Sequence, residues 1–113
     1  MDSTHREFVD QAVAVGKASD TEFPALFAAL VEHTRQHFEH ENELMRTYDF
    51  PARAEHEHEH QRILDEMDHL AQRVANGRIG MARAYVEGVP IWFANHLATM
   101  DTDLAAYLKR QRG

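Results

Sequence analysis

In His56-Glu57-His58-Glu59-His60-Gln61-Arg62-Ile63-Leu64-Asp65-Glu66-Met67-Asp68-His69-Leu70, apolar side chains recur at Ile63, Met67 and Leu70, and His56 and His60 extend the same line toward the N-terminus. Spacings of three and four put these residues on one face of a helix. The pattern predicts a helix over about Ala52 to Ala75 that buries Ile63, Leu64, Met67, Leu70 and Val74 and stops at Asn76-Gly77. Upstream, Phe23, Leu26, Phe27, Leu30, Phe38, Leu44 and Met45 predict a second long helix, ending near Tyr48-Asp49-Phe50-Pro51 because a residue before proline is pushed out of helical geometry. Before it, Phe8, Ala12 and Val15 mark a helix from about Ser3 to Ala18, with Thr4 and Glu7 as a capping box and Ser19-Asp20-Thr21 as the turn and next cap. After it, Tyr85, Val89, Trp92, Phe93, Leu97, Leu104 and Leu108 predict a fourth helix from about Ile79 to Lys109, kinked near Val86 or starting only near Pro90. No segment alternates like a half-buried strand. Four helices with short connections imply an all-α, up-down-up-down four-helix bundle forming a single domain over residues 1–113.

The informative feature is the polar residues that occupy core positions. His37 and Glu41 interrupt the stripe of the second helix, four residues apart and hence on one face. His56 and His60 repeat that spacing on the third. His96 continues the line of Val89, Trp92 and Phe93, and His5 precedes Phe8. One inward histidine is ordinarily a satisfied core residue. Two separate pairs facing one core are harder to dismiss, since burying several histidines and a carboxylate among aromatics costs several kcal/mol unless each is paired. Nitrogen and carboxylate donors without sulfur suit iron, manganese or zinc. More donors converge than one tetrahedral zinc could use, which favours a two-metal site bridged by a carboxylate.

Composition narrows the partners. A net charge of −7 argues against nucleic acid or an anionic membrane as the main partner. With no cysteine there are no disulfides, thiolate zinc sites or Cys-ligated iron–sulfur clusters. The polar Met1-Asp2-Ser3-Thr4-His5 start lacks a signal-peptide core, and no apolar run has membrane-spanning length, so a cytoplasmic protein is expected. A monomer is the default, with oligomers open.

At this point the chain resembles the hemerythrin family over essentially its whole length. The resemblance rests on His5-Arg6-Glu7-Phe8, on His37-Phe38-Glu39-His40-Glu41 leading to Leu44-Met45, on Tyr48 ahead of His56 and His60, and on Trp92-Phe93-Ala94-Asn95-His96 followed by Asp101. It implies reversible binding of dioxygen at a non-haem pair of iron ions in the bundle core, without enzymatic turnover. In that reading His56, His60 and His96 hold one iron, and His5 and His37 hold the other. Glu41 and Asp101 bridge the pair together with an oxo or hydroxo group, and dioxygen binds at the open position of the iron with two histidines. Phe8, Phe38 and Phe93 are the candidates for the apolar pocket beside it. Spacing alone does not single out Asp101, which lies about 140° round an ideal helix from His96, whereas Asp103 is nearly in line. Geometry also allows His33, which the resemblance leaves out as a rim residue; His40, His58 and His69 lie off the ligand faces. Family members usually carry a longer arm before the first histidine. With His5 in the first, fraying turn, the His5/His37 iron is expected to be the weaker-bound one and autoxidation fast.

Three rival readings use the same residues. His56-Glu57-His58-Glu59-His60 matches the H-E-x-x-H zinc hydrolase pattern with Glu57 as general base, but leaves His5, His37 and Glu41 unused. An oxygen-activating ferritin-like enzyme needs Glu-x-x-His on two helices, and here Glu57-x-x-His60 and Glu66-x-x-His69 share one. Sensing of oxygen, nitric oxide or peroxide, or iron storage, needs no change in the site.

Overall fold

Helical periodicity becomes helix throughout the computed structural model, which describes residues 2–96 and 102–111, with side chains over 7–91 and 103–110. Among the described residues every regular element is helical: α1 (Asp2–Gly16), α2 (Phe23–Thr47), α3 (Arg53–Ala75), α4 (Gly80–His96) and α5 (Thr102–Gln111). Among the described residues the span expected to hold one fourth helix carries two helical segments, α4 and α5, and residues 97–101 between them lie outside the described residues. A helix starting only near Pro90 is not formed, because α4 begins at Gly80 and contains Pro90. Proline already has a helical φ, and its lost hydrogen bond is offset by packing of Val86 and Val89, each 1% exposed.

Side-chain pairs give the directions. Arg35 reaches Asp68 at 2.9 Å and Arg46 reaches Glu57 at 2.6 Å, so α2 and α3 run antiparallel. Arg83, near the start of α4, donates to the Gly16 carbonyl at the end of α1 at 3.0 Å, which sets those two antiparallel as well. Its guanidinium also meets Asp20 at 2.9 Å and lies 4.7 Å from the centre of the Phe23 ring, tying α1, the turn and α2 together. Helix α1 packs on α2 and α4, and α3 packs on α2 and α4.

The connections follow local chemistry. In the turn before α2, Ser19 Oγ accepts from the Glu22 backbone N–H at 3.2 Å and donates to Glu22 Oε1 at 2.9 Å, which fixes the turn ahead of the helix. The residue at the helix N-cap is Glu22 rather than one of Ser19-Asp20-Thr21. Pro24 sits in the first turn, where no N–H is missed. Helix α2 closes with Asp49 in the left-handed region (φ 52) and the Phe50 N–H donating to Met45 O at 2.9 Å. Helix α3 closes the same way, with Gly77 at φ 82 and the Arg78 N–H donating to Arg73 O at 2.9 Å.

The apolar faces form two clusters. The larger joins Phe8, Ala12 and Val15 of α1 with Phe23, Phe27, Leu30 and Phe38 of α2, the α3 stripe, and Val86 and Val89 of α4. The smaller joins Met45 and Phe50 with Leu104 and Leu108 of α5. Leu26, expected in the core, is 39% exposed, because Phe23, Phe27 and Leu30 centre the buried face of α2 away from it. Among the described residues no helix is long and apolar enough to cross a membrane.

Candidate metal centre

Glu41 lies about five helical turns beyond Phe23, so the geometry that buries Phe23, Phe27 and Leu30 carries its carboxylate into the same interior. It is 1% exposed, as are His56 and His60 on the facing side of α3. His37, one turn before Glu41, is nearly buried. Each of these side chains is inward because the apolar stripe of its helix is inward. A buried carboxylate among apolar residues is expensive unless it is matched by charge or hydrogen bonds.

The two oxygens of Glu41 divide the histidines between them. His60 Nε2 lies 2.9 Å and His56 Nε2 3.7 Å from Oε1. His37 Nε2 lies 3.3 Å from Oε2. Donors held by one ion at about 2.1 Å stand roughly 3.0–3.4 Å apart. The separations here, from 2.9 to 3.7 Å, straddle that range and leave the side chains within a small shift of a common cation. Ligand atoms of Glu41, His56 and His60 all fall within 4.8 Å of one another. The set contains imidazole nitrogen and carboxylate oxygen without sulfur, which suits iron, manganese or zinc and disfavours softer ions. The residues present therefore fit a buried metal.

Aromatic rings wall the cluster. Phe38 stacks on the His60 ring with centroids 3.9 Å apart and planes 9° from parallel. His56 meets His60 edge to face at 4.5 Å, and Phe50 approaches His56 at 6.4 Å. The site thus lies where the two apolar clusters meet, with Phe38 from one and Phe50 from the other.

Of the residues named from sequence, the structure brings together His37, Glu41, His56 and His60, with Phe38 directly against them. Phe8 is 3% exposed and meets the ring of His33 edge-on at 6.0 Å. His5 falls within α1, and Phe93 and His96 within α4, but their side chains lie outside the described residues, as does Asp101 altogether. Asp103 is exposed. His33 is turned toward α1, where its Nδ1–H donates to Gln11 Oε1. His40, His58 and His69 are exposed. Glu57, the would-be base of the hydrolase pattern, sits in ion pairs with Arg46 at 2.6 Å and Arg53 at 3.4 Å rather than in the cluster.

Sequence reasoning missed Asn42, whose Oδ1 lies 2.8 Å from His60 Nδ1. No periodic signal marks it, because it is half-buried beside the stripe and its partner is on another helix.

Comparison with known proteins bears on the chain as a whole. The family model described as the hemerythrin HHE cation binding domain matches residues 1–108. A bacteriohemerythrin of Ralstonia nicotianae (strain ATCC BAA-1114 / GMI1000) is 35% identical over 112 residues, which is 99% of this chain and 81% of that protein.

Proposed function

Because the chain belongs to the hemerythrin HHE cation-binding family, we propose that it binds dioxygen reversibly at two iron ions inside an up-down-up-down four-helix bundle, as a carrier or store rather than an enzyme. The observation that carries this reading is the divided carboxylate. Glu41 offers Oε1 to His60 and His56 of α3 and Oε2 to His37 of its own helix. A carboxylate that serves two separate sets of imidazoles is what a pair of ions requires, whereas a single zinc would need only one set.

In this proposal His56, His60 and His96 would hold one iron and His5 and His37 the other, with the carboxylates of Glu41 and Asp101 shared between the two. Bound iron would supply the reversible electron exchange with dioxygen that no side chain of this chain can provide. The chain's own part is to bind, orient and exclude. His56 and His60 enter one turn apart on α3, so a single rigid helix presents both rings at once. Glu41 is held at a fixed depth by the fully buried Phe38 and Met45 on the same face of α2. Phe38, packed on His60, keeps the neighbourhood apolar, and in this proposal Phe8 and Phe93 would extend that pocket and limit water and proton access. Few carboxylates among many imidazoles stabilise high oxidation states weakly, and this favours reversible binding over oxidation of a substrate.

The test is metal content together with an optical spectrum on the purified chain. About two irons per chain, an oxo-to-ferric charge-transfer band, and a colour change reversed by removing oxygen are the expected results. A fully folded protein free of metal, or one holding a lone zinc, would overturn the proposal.

A further inference from the structure

The His60 ring in the candidate centre is gripped from two sides, by Phe38 on its face and by Asn42 behind its Nδ1. The Asn42 carbonyl oxygen lies 2.8 Å from His60 Nδ1 while His60 Nε2 lies 2.9 Å from Glu41 Oε1. A carboxamide oxygen only accepts, so the hydrogen of a neutral His60 belongs on Nδ1 and the lone pair on Nε2. That is the tautomer a metal ligand needs, with the lone pair aimed at the side of the ring where Glu41 and His56 converge. Asn42 and Phe38 are four residues apart on α2 and grip the same ring in complementary ways. Phe38 covers its face, with planes 9° apart, and stops it tilting. Asn42 holds its edge and stops it turning over.

We propose that Asn42 is a positioning residue for the metal centre, donating nothing to the ion itself but fixing the tautomer and strengthening the donor character of His60. A hydrogen-bond acceptor behind an imidazole raises the electron density at the other nitrogen, and removing such a partner typically weakens metal binding about 10–100-fold. The inference rests on the reading of this cluster as a metal site, and asks something further of it: that affinity depend on a residue that touches no ion.

The experiment is competition between the full chain and a chelator for Fe²⁺ without oxygen, for the native chain and two variants. Asn42→Leu keeps the approximate volume and removes the acceptor; affinity is expected to fall about 10–100-fold. Asn42→Asp restores a stronger acceptor and is expected to recover native affinity or exceed it. A merely structural role would not produce that rescue. Helix content and thermal midpoint of the metal-free forms identify any variant that fails to fold. Native affinity in Asn42→Leu, or a loss in Asn42→Asp as large as in Asn42→Leu with both folded, overturns the proposal. Iron stoichiometry of the native chain, read in the same titration, tests the two-iron reading by itself, so either can fail without the other.

Discussion

At the scale of single residues, burial dictates what each polar group can do. Tyr85 of α4 illustrates this away from the metal centre. Burial pushes its phenol up to about 12 from the ordinary 10.0, helped by the nearby charge of Glu66 and opposed by Arg62. The folded state therefore favours the neutral phenol more than the unfolded chain does. Its contribution to stability is complete below pH 10 and is lost as pH rises toward about 12, because the unfolded chain ionises first. Tyr85→Phe should accordingly flatten the fall in thermal midpoint between pH 10 and 12 while leaving the midpoint near pH 8 little changed. An identical alkaline slope in both proteins would show that the phenol is not the group responsible. Glu41 is more deeply buried still, and three histidine rings stand around its carboxylate.

At the scale of elements, helix ends decide how the ligand-bearing helices are aimed. The α2–α3 turn sets the angle at which His56 and His60 approach Glu41, and it depends on Asp49 holding a left-handed conformation. Asp tolerates that region, whereas a β-branched residue does not. Asp49→Val should therefore destabilise the fold by about 1–2 kcal/mol, and Asp49→Gly should be neutral or slightly stabilising, both measured by denaturant unfolding. Equal stability of the two variants would mean that the turn adapts in some other way. Helix α5 reinforces the same turn, since the Tyr107 hydroxyl lies 2.8 Å from the Tyr48 carbonyl and 3.1 Å from that of Asp49. The long stripe of α2 and the cap at Asn76-Gly77 were legible from spacing and turn chemistry. The outer bounds of the last helical span, near Ile79 and Lys109, were legible too, whereas Pro90 signals a break that surrounding core contacts override.

For the whole molecule, the polar cluster sits between two apolar clusters, so metal and fold are thermodynamically linked. An ion that binds only the folded chain adds about 1.4 kcal/mol of stability for each tenfold rise in free concentration above its dissociation constant. The thermal midpoint of the native chain should therefore climb with free Fe²⁺ under anaerobic conditions, and Glu41→Gln should abolish that climb. A midpoint indifferent to the ion in the native chain, or a variant that tracks it equally, would separate the cluster from metal binding. Such a link would place on the metal-free form the cost of the three buried titratable side chains found among the described residues, Glu41, His56 and His60.

From the order and spacing of residues alone came the helices and the inward faces of His37, Glu41, His56 and His60, because helical periodicity is a local property that neighbouring side chains reveal. Tertiary structure alone decided which oxygen of Glu41 meets which histidine, that Phe38 lies flat on His60, that Asn42 holds the far nitrogen of that ring, and that Leu26 faces solvent. Those depend on the distance and rotation between helices, which are set by how whole surfaces interlock and leave no periodic trace in either sequence segment.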